Sequence, residues 1–316
     1  MKIDIIDYLG KHDDGILTLI SIGYNDNYYR IFIKKLDNEF SINLYCVDAS
    51  KHLLSILSKL NGGMFFSGTF LPMAYYEKAL FGLTTFNSLS VESPFDKKNL
   101  MVLCNNNVSI RFKDRENTIF DVINNINTFI SSKVGNYIVY TPSFVYLKMI
   151  ENIYKNNDVD VIFQTDEMSN TDKINFLKKF KSNPKRTTLG FCVLGGSFSE
   201  GIDLVDDRLI GIVVIGVGLP SMSFENDLIS NYYDNNGLNG FTFAYINPGI
   251  NKVMQAVGRL IRSDTDCGVA LLIDDRYTHK NYSELFKNVW QNNKRVSSLS
   301  MMRNEIDSFY RKEDKV

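Results

Sequence analysis

Neither sign of charge dominates this sequence: 35 lysines and arginines stand against 36 aspartates and glutamates, a formal net charge of −1. A global basic excess of the kind that announces a nucleic-acid binder is absent, so any such contact must be local. Long apolar runs are missing too. No stretch approaches the roughly 20 apolar residues of a membrane span. The first residues, with Asp4, Asp7, Asp13 and Asp14, have neither the basic start nor the apolar run of a signal peptide. The expectation is a cytoplasmic location and no membrane partner. Histidine is scarce, with His12, His52 and His279 far apart, and the four cysteines (Cys46, Cys104, Cys192, Cys267) stand singly with no CxxC pair. No metal is therefore expected on this chain's own Cys or His, and the cysteines are expected as buried free thiols, three of them in strand-like apolar runs. Internal repeats and low-complexity segments are also lacking.

What remains is an ordinary globular balance over 316 residues, 44% hydrophobic and 22% charged, enough for a sizeable core. The first 48 residues alternate polar and apolar in short runs (ILTLISIGY, YYRIFIKK, FSINLYCV), the pattern of antiparallel hairpins. Leu53, Leu54, Leu57 and Leu60 then mark a short amphipathic helix. Further on, helices are predicted at 118–131, 143–154, 171–181, 223–234, 250–263 and 282–293, and strands at 136–141, 159–164, 188–194, 209–217 and 268–273. Short apolar strands alternating with helices predict an α/β fold, a parallel sheet with helices on both faces, preceded by a small β-rich element. The expected domains are 1–60 for that element and its linking helix, 61–300 for the α/β domain, and 301–316 for a charged tail.

The segment NPGINKVMQAVGRLIRSD carries the sharpest chemical signal. At about 100° per residue, Ile250, Val253, Met254, Val257, Leu260 and Ile261 share one arc, which must face the sheet. Gln255, Arg259 and Arg262 follow at i, i+4 and i+7 on the other side, with Gly258 beside them. A solvated polar face usually alternates Lys with Glu. Two guanidiniums and an amide instead suit the oxygens of a phosphate.

QAVGRLIR resembles motif VI of superfamily 2 helicases, and the running order of segments points to the XPD/DinG family within it. MFFSGTF resembles motif III, a strand ending in Ser-Gly-Thr; the YTPS turn at 140–143 matches the motif IV region; SEGIDL resembles motif V; GVALLIDDR follows motif VI. The resemblance covers about residues 60–280 and implies a RecA-like second motor domain. It further implies Arg259 and Arg262 as arginine fingers on a γ-phosphate, with Gln255 as a phosphate- or water-positioning group. Glu200, Gly201 and Asp203 fall on the nucleotide side, and Ser67 and Thr69 couple ATP state to domain movement. Thr141, Ser143 and Ser199 are implied as DNA-backbone contacts, though Ser143 suits a helix N-cap equally well. The run KKFKSNPKR, with Lys178, Lys179, Lys181, Lys185 and Arg186, is either a further backbone contact or a solvated face. GVGLPS at 216–221 lacks a third glycine and is no dinucleotide fingerprint.

An ATPase of this class also needs a phosphate loop, GxxxxGK[ST], and a carboxylate pair for Mg²⁺. The only Gly-Lys pair, Gly10-Lys11, is followed by His12, and Asp166-Glu167 is followed by Met-Ser, not Ala-His. In the family the iron-sulfur cysteines belong to the first half, so no cluster is expected here. The reading is therefore the second half of an ATP-dependent DNA helicase, inactive alone and moving on single-stranded DNA with a first motor domain in cis or in trans. ATP and Mg²⁺ would be held mainly by that absent domain. A split helicase and a non-enzymatic nucleotide- or DNA-binding module are the alternatives, and DNA repair is implied only at family level.

Overall fold

The computed structural model describes residues 27–36, 39–82, 87–199, 204–286, 289–290 and 293–313. They fall into two compact units: Met1–Ser88 with Ser221–Asn247, and Leu89–Pro220 with Pro248–Val316. The first boundary thus lies well beyond residue 60, and the helix expected at 223–234 joins the first unit, not the α/β domain.

In the first unit, β1 (Tyr29–Leu36) and β2 (Glu39–Cys46) form an antiparallel hairpin with Tyr29 opposite Cys46. The earlier expected strand run, ILTLISIGY, lies outside the described residues. Helices α1 (Ser50–Leu57) and α2 (Met73–Phe81) follow. The run Met64–Phe66, expected as a strand, is irregular, and Met64 and Phe66 are exposed. The unit's core is aromatic. Val47, Tyr232 and Tyr233 pack with Tyr28, Tyr45 and Phe243, and the buried Asp48 accepts from the Tyr232 hydroxyl at 2.8 Å and from the Ser50 amide at 2.8 Å. Both carboxylate oxygens are thereby satisfied, as a buried charge requires.

The second unit is a seven-stranded parallel sheet. Its strands are β3 (Leu100–Asn105), β4 (Asn136–Thr141), β5 (Val159–Phe163), β6 (Thr187–Val193), β7 (Gly211–Ile215), β8 (Gly268–Ile273) and β9 (Lys294–Val296). They lie in the order β5-β6-β4-β7-β8-β3-β9. β4, β7 and β8 are buried along their whole length, which is why they read as continuous apolar runs. On one face, helices α3 (Arg115–Ile130) and α4 (Phe144–Ile153) bury Val122, Ile126, Phe129, Tyr146 and Ile150 against Val139, Val213 and Leu271. On the other, a side chain at Gly190 in β6 would run into the rings of Phe180 and Phe176, the latter on α5 (Asn170–Leu177).

The elements absent from the expected alternation are β3, β9 and the last helix. Helix α6 (Phe224–Asn235) lies in the first unit's second segment, α7 (Asn247–Val257) begins at the boundary and continues in the second unit, and after β8 comes α8 (Lys280–Phe286), shorter than expected. Residues 301–313, expected as a charged tail, belong to α9 (Leu299–Glu313). Met302, Ile306 and Tyr310 are buried in the main core, and the Tyr310 hydroxyl donates to the Ile210 carbonyl at 3.0 Å. Each such burial contributes about 1.5–3 kcal/mol, enough to hold a helix whose outer face is charged. The cysteines form no disulfide, but only Cys192 is buried; Cys46, Cys104 and Cys267 are partly exposed.

Candidate functional site

The carboxyl ends of β4 and β6 meet a tight turn at Leu194–Ser199. Gly195 takes a left-handed backbone (φ +76°) that a side chain would strain, and its amide donates to the Ser199 hydroxyl at 2.8 Å. That hydroxyl is buried and donates back to the Val193 carbonyl at 3.3 Å. Gln164, just past β5, accepts from the Val193 amide at 2.9 Å and lies under Gly196. The turn is thus fixed from below by an amide and from within by a serine.

Helix α7 and the turn that follows it bring basic residues here. Its start is set by glycines: a methyl group on Gly218 (φ +70°) would sit 2.4 Å from the Gly249 carbonyl oxygen, so backbone packs on backbone there. The stem of Lys252 then crosses Gly195, with Cδ 2.9 Å from where a β-carbon would be. Arg259 Nε donates to the Ser199 carbonyl at 3.3 Å. The Tyr140 hydroxyl at the end of β4 donates to the Phe198 carbonyl at 2.7 Å. Burial raises that hydroxyl well above the usual tyrosine range, while the nearby charges of Arg259 and Arg262 act the other way.

One expectation about this segment needs correction. The helix ends at Val257, before either arginine. The Gly258 amide still reaches Met254, but those of Arg259 and Leu260 bond three residues back, to Ala256 and Val257. The chain then turns around Asp266, which is buried. Its carboxylate accepts from the amides of Arg262 (2.6 Å), Ser263 (2.8 Å) and Asp206 (2.7 Å). Gln255 alone of the three predicted groups lies on the regular helix, half-buried, while Arg259 and Arg262 are placed by this capped turn.

The other predicted residues are distributed as follows. Glu200, Gly201 and Asp203 lie outside the described residues. Ser67 and Thr69 belong to the first unit, where the Ser67 hydroxyl accepts from the Thr69 amide at 3.1 Å. Thr141 is buried, its hydroxyl donating to the Cys192 carbonyl at 3.2 Å. Ser143 caps α4, accepting from the Tyr146 amide at 3.2 Å. Lys178, Lys179, Lys181, Lys185 and Arg186 are exposed near the amino end of β6, a strand's length (roughly 20 Å) from the turn, and Arg186 pairs with Asp160. Sequence reasoning missed Lys252, Tyr140, Gln164 and Asp266. Lys252 was within reach, for it precedes Arg259 by seven residues, two turns along the predicted helix.

The Leu194–Ser199 turn, with Lys252 across it and Arg259 bonded to it, lies at the sheet end where open α/β folds hold ligands. A family model for the helicase C-terminal domain matches residues 126–293, just over half of the chain. The chain belongs to the helicase C-terminal domain family. The ATP-dependent DNA helicase CHL1 of Debaryomyces hansenii is 26% identical over 280 residues, covering 78% of this chain and 34% of that protein. The ATP-dependent DNA helicase DinG of Photobacterium profundum is 24% identical over 264 residues, covering 79% and 37%. This helicase C-terminal domain therefore spans about a third of the length of those relatives. The solved chain XPD_APO shares its fold, with a TM-score of 0.61 at 16% identity, over 92% of this chain and 61% of that one. The expected RecA-like architecture of the XPD/DinG family is thus present.

Proposed function

We propose that the chain is the second motor half of an ATP-dependent DNA helicase, and that Arg259 and Arg262 stabilise the charge developing on a transferring γ-phosphoryl group. The observation that carries this is the bond from Arg259 Nε to the Ser199 carbonyl, which ties the guanidinium to the Gly195–Ser199 turn beside Lys252. In this reading Gln255 positions the phosphate or the attacking water, Gly201 and Asp203 with Glu200 approach the nucleotide, and Ser67 and Thr69 transmit its state. The likeness to the ATP-dependent DNA helicases CHL1 and DinG supports ATP and DNA as the substrates.

The sequence holds no phosphate loop, so the nucleotide is gripped by a first motor half, in cis or in trans. The Mg²⁺ that accompanies ATP is assigned to that first half, which in this reading carries the carboxylate pair, and no step here runs through it. Single-stranded DNA crosses the carboxyl end of the sheet. Because the hydroxyls of Thr141 and Ser199 donate to carbonyls inside the domain, phosphate contacts there fall to backbone amides, whereas the Ser143 hydroxyl only accepts and keeps its proton to donate to a phosphate at the first turn of α4.

The test is ATP hydrolysis stimulated by single-stranded DNA, measured for the chain alone and after adding a first motor half that carries a phosphate loop. Activity in the mixture and none in the chain alone is expected. Hydrolysis by the chain alone at the rate of the mixture would overturn the proposal.

A further inference from the structure

Phe112 is the most exposed aromatic ring in the second unit, at 85% exposure, yet the loop that carries it is firmly braced. The Ser109 hydroxyl donates to Asp114 at 2.7 Å, and the Thr118 hydroxyl donates to the Ser109 carbonyl at 2.9 Å. The Asp114 amide donates to the Arg111 carbonyl at 2.8 Å, Arg115 Nε donates to the Ile110 carbonyl at 3.2 Å, and Arg111 pairs with Asp275. Ile110 is buried, against Gly216 at the carboxyl end of β7. A loop held by so many bonds could have turned Phe112 inward, as it turns Val108 and Ile110. Instead it holds the ring out in water, an arrangement that costs solvation and that rigid loops use for binding.

The surroundings of the ring specify the ligand. The Arg115 guanidinium lies 5.6 Å from the centre of the Phe112 ring and 5.6 Å from that of Tyr146, on the first turn of α4. Lys113 is exposed beside it. The carboxylates nearby are largely spoken for, Asp114 by Ser109 and Asp275 by Arg111, with Glu116 exposed on α3. Lys113, Glu116 and Asn117, which follow it in sequence, are exposed and polar, and Phe120 is the next exposed ring along α3. An exposed aromatic face backed by a guanidinium and flanked by an ammonium suits a base with its phosphate.

We infer that Phe112 is a stacking platform for one base of single-stranded DNA, with Lys113 on the adjacent phosphate and Arg115 supporting the ring from behind. This rests on the reading of the chain as a helicase half and adds a base contact to its backbone contacts. The platform is sequence-tolerant, since every base has a π face.

Two readouts test it in the full chain. In Phe112→Trp the new indole is exposed, whereas the native Trp290 is buried, so stacking on oligo(dT) quenches emission in the variant and leaves the wild type unchanged. By anisotropy of labelled oligo(dT), Phe112→Ala and Phe112→Leu weaken binding about 5- to 100-fold while Phe112→Trp retains it. An abasic strand of equal length binds wild type and Phe112→Ala alike. Wild-type affinity of Phe112→Ala for oligo(dT), or an equal loss on the abasic strand, overturns the platform and leaves the helicase reading standing. If the wild-type chain binds no single-stranded DNA even at low salt, the platform and the DNA part of that reading fall together.

Discussion

Arg259 Nε donates to the carbonyl of Ser199 at 3.3 Å, and Ser199 in turn holds the amide of Gly195 through its hydroxyl. Two segments 60 residues apart in sequence are thereby made into one surface. The guanidinium does not float at the end of a flexible stem, because one of its N–H groups is committed to a turn fixed by Gln164 from below. A preorganised cation of this kind is what stabilising a transition-state charge requires.

The placement of Arg262 depends on Asp266. Asp266→Ala leaves three amides without their acceptor and is expected to cost about 2–4 kcal/mol. Asp266→Asn keeps one acceptor oxygen and should lose less. Urea unfolding followed by Trp290 emission measures both, and equal stability of Asp266→Ala and wild type would refute the role.

Gly218→Ala adds a methyl group into the Gly249 carbonyl at a backbone angle that disfavours side chains. A loss of about 2–5 kcal/mol follows from the strain and the clash together. The same unfolding experiment reads it, with Gly237→Ala as control, since no atom lies within 4 Å of a β-carbon there although its φ is also positive.

Asp274 is fully buried at the end of β8, paired with Arg276 through two bonds of 2.7 and 2.8 Å. Burial raises its carboxyl above the ordinary range, and the guanidinium opposes that rise. Arg276→Met removes the opposition and is expected to cost about 3–5 kcal/mol at neutral pH. The sign in pH follows: with the folded value raised, stability is full below the unfolded value of about 3.9 and is lost as pH climbs through the folded one. Stability curves of Arg276→Met should therefore fall with rising pH, and adding Asp274→Asn should flatten them.

Cys192 is wholly buried and its thiol is pushed well above the usual range; burial also pushes Cys104 up to about 12. Cys192 should not alkylate with iodoacetamide at mildly alkaline pH until the chain unfolds, and Cys104, partly exposed but with its thiol held protonated, only slowly. Mass spectrometry of native and urea-treated protein reads this, and rapid native labelling of either would contradict the packing.

The sheet was legible because its strands are covered on both faces, so β4 and β8 stood out with their observed ends. Chain partition was not. The helix at Phe224–Asn235 has the same local pattern as the helices of the second unit, and what ties it to the hairpin region is long-range: the bond from Tyr232 to Asp48, 184 residues away, the Lys34–Glu225 ion pair and the Phe32–Phe224 ring contact. The chemistry was legible from residue type, since Gln and two Arg on one stripe announce an anion. Their geometry was not, because the helix stops where Asp266 and Asp206 close the following turn, a long-range contact that periodicity cannot contain. Tyr140 and Gln164 were hidden for a related reason: a polar residue inside a strand pattern acquires meaning only from the strand beside it.

The central claim is that Arg259 acts on the transferring phosphoryl group, and the most direct test is the kinetics of Arg259→Ala and Arg259→Lys in the chain paired with its first motor half. The account predicts a fall in kcat of about 10³-fold or more for Arg259→Ala with KM for ATP little changed, and only partial recovery with lysine, which cannot match the guanidinium's fork. A wild-type kcat in Arg259→Ala, in a pair that remains active on single-stranded DNA, would contradict it.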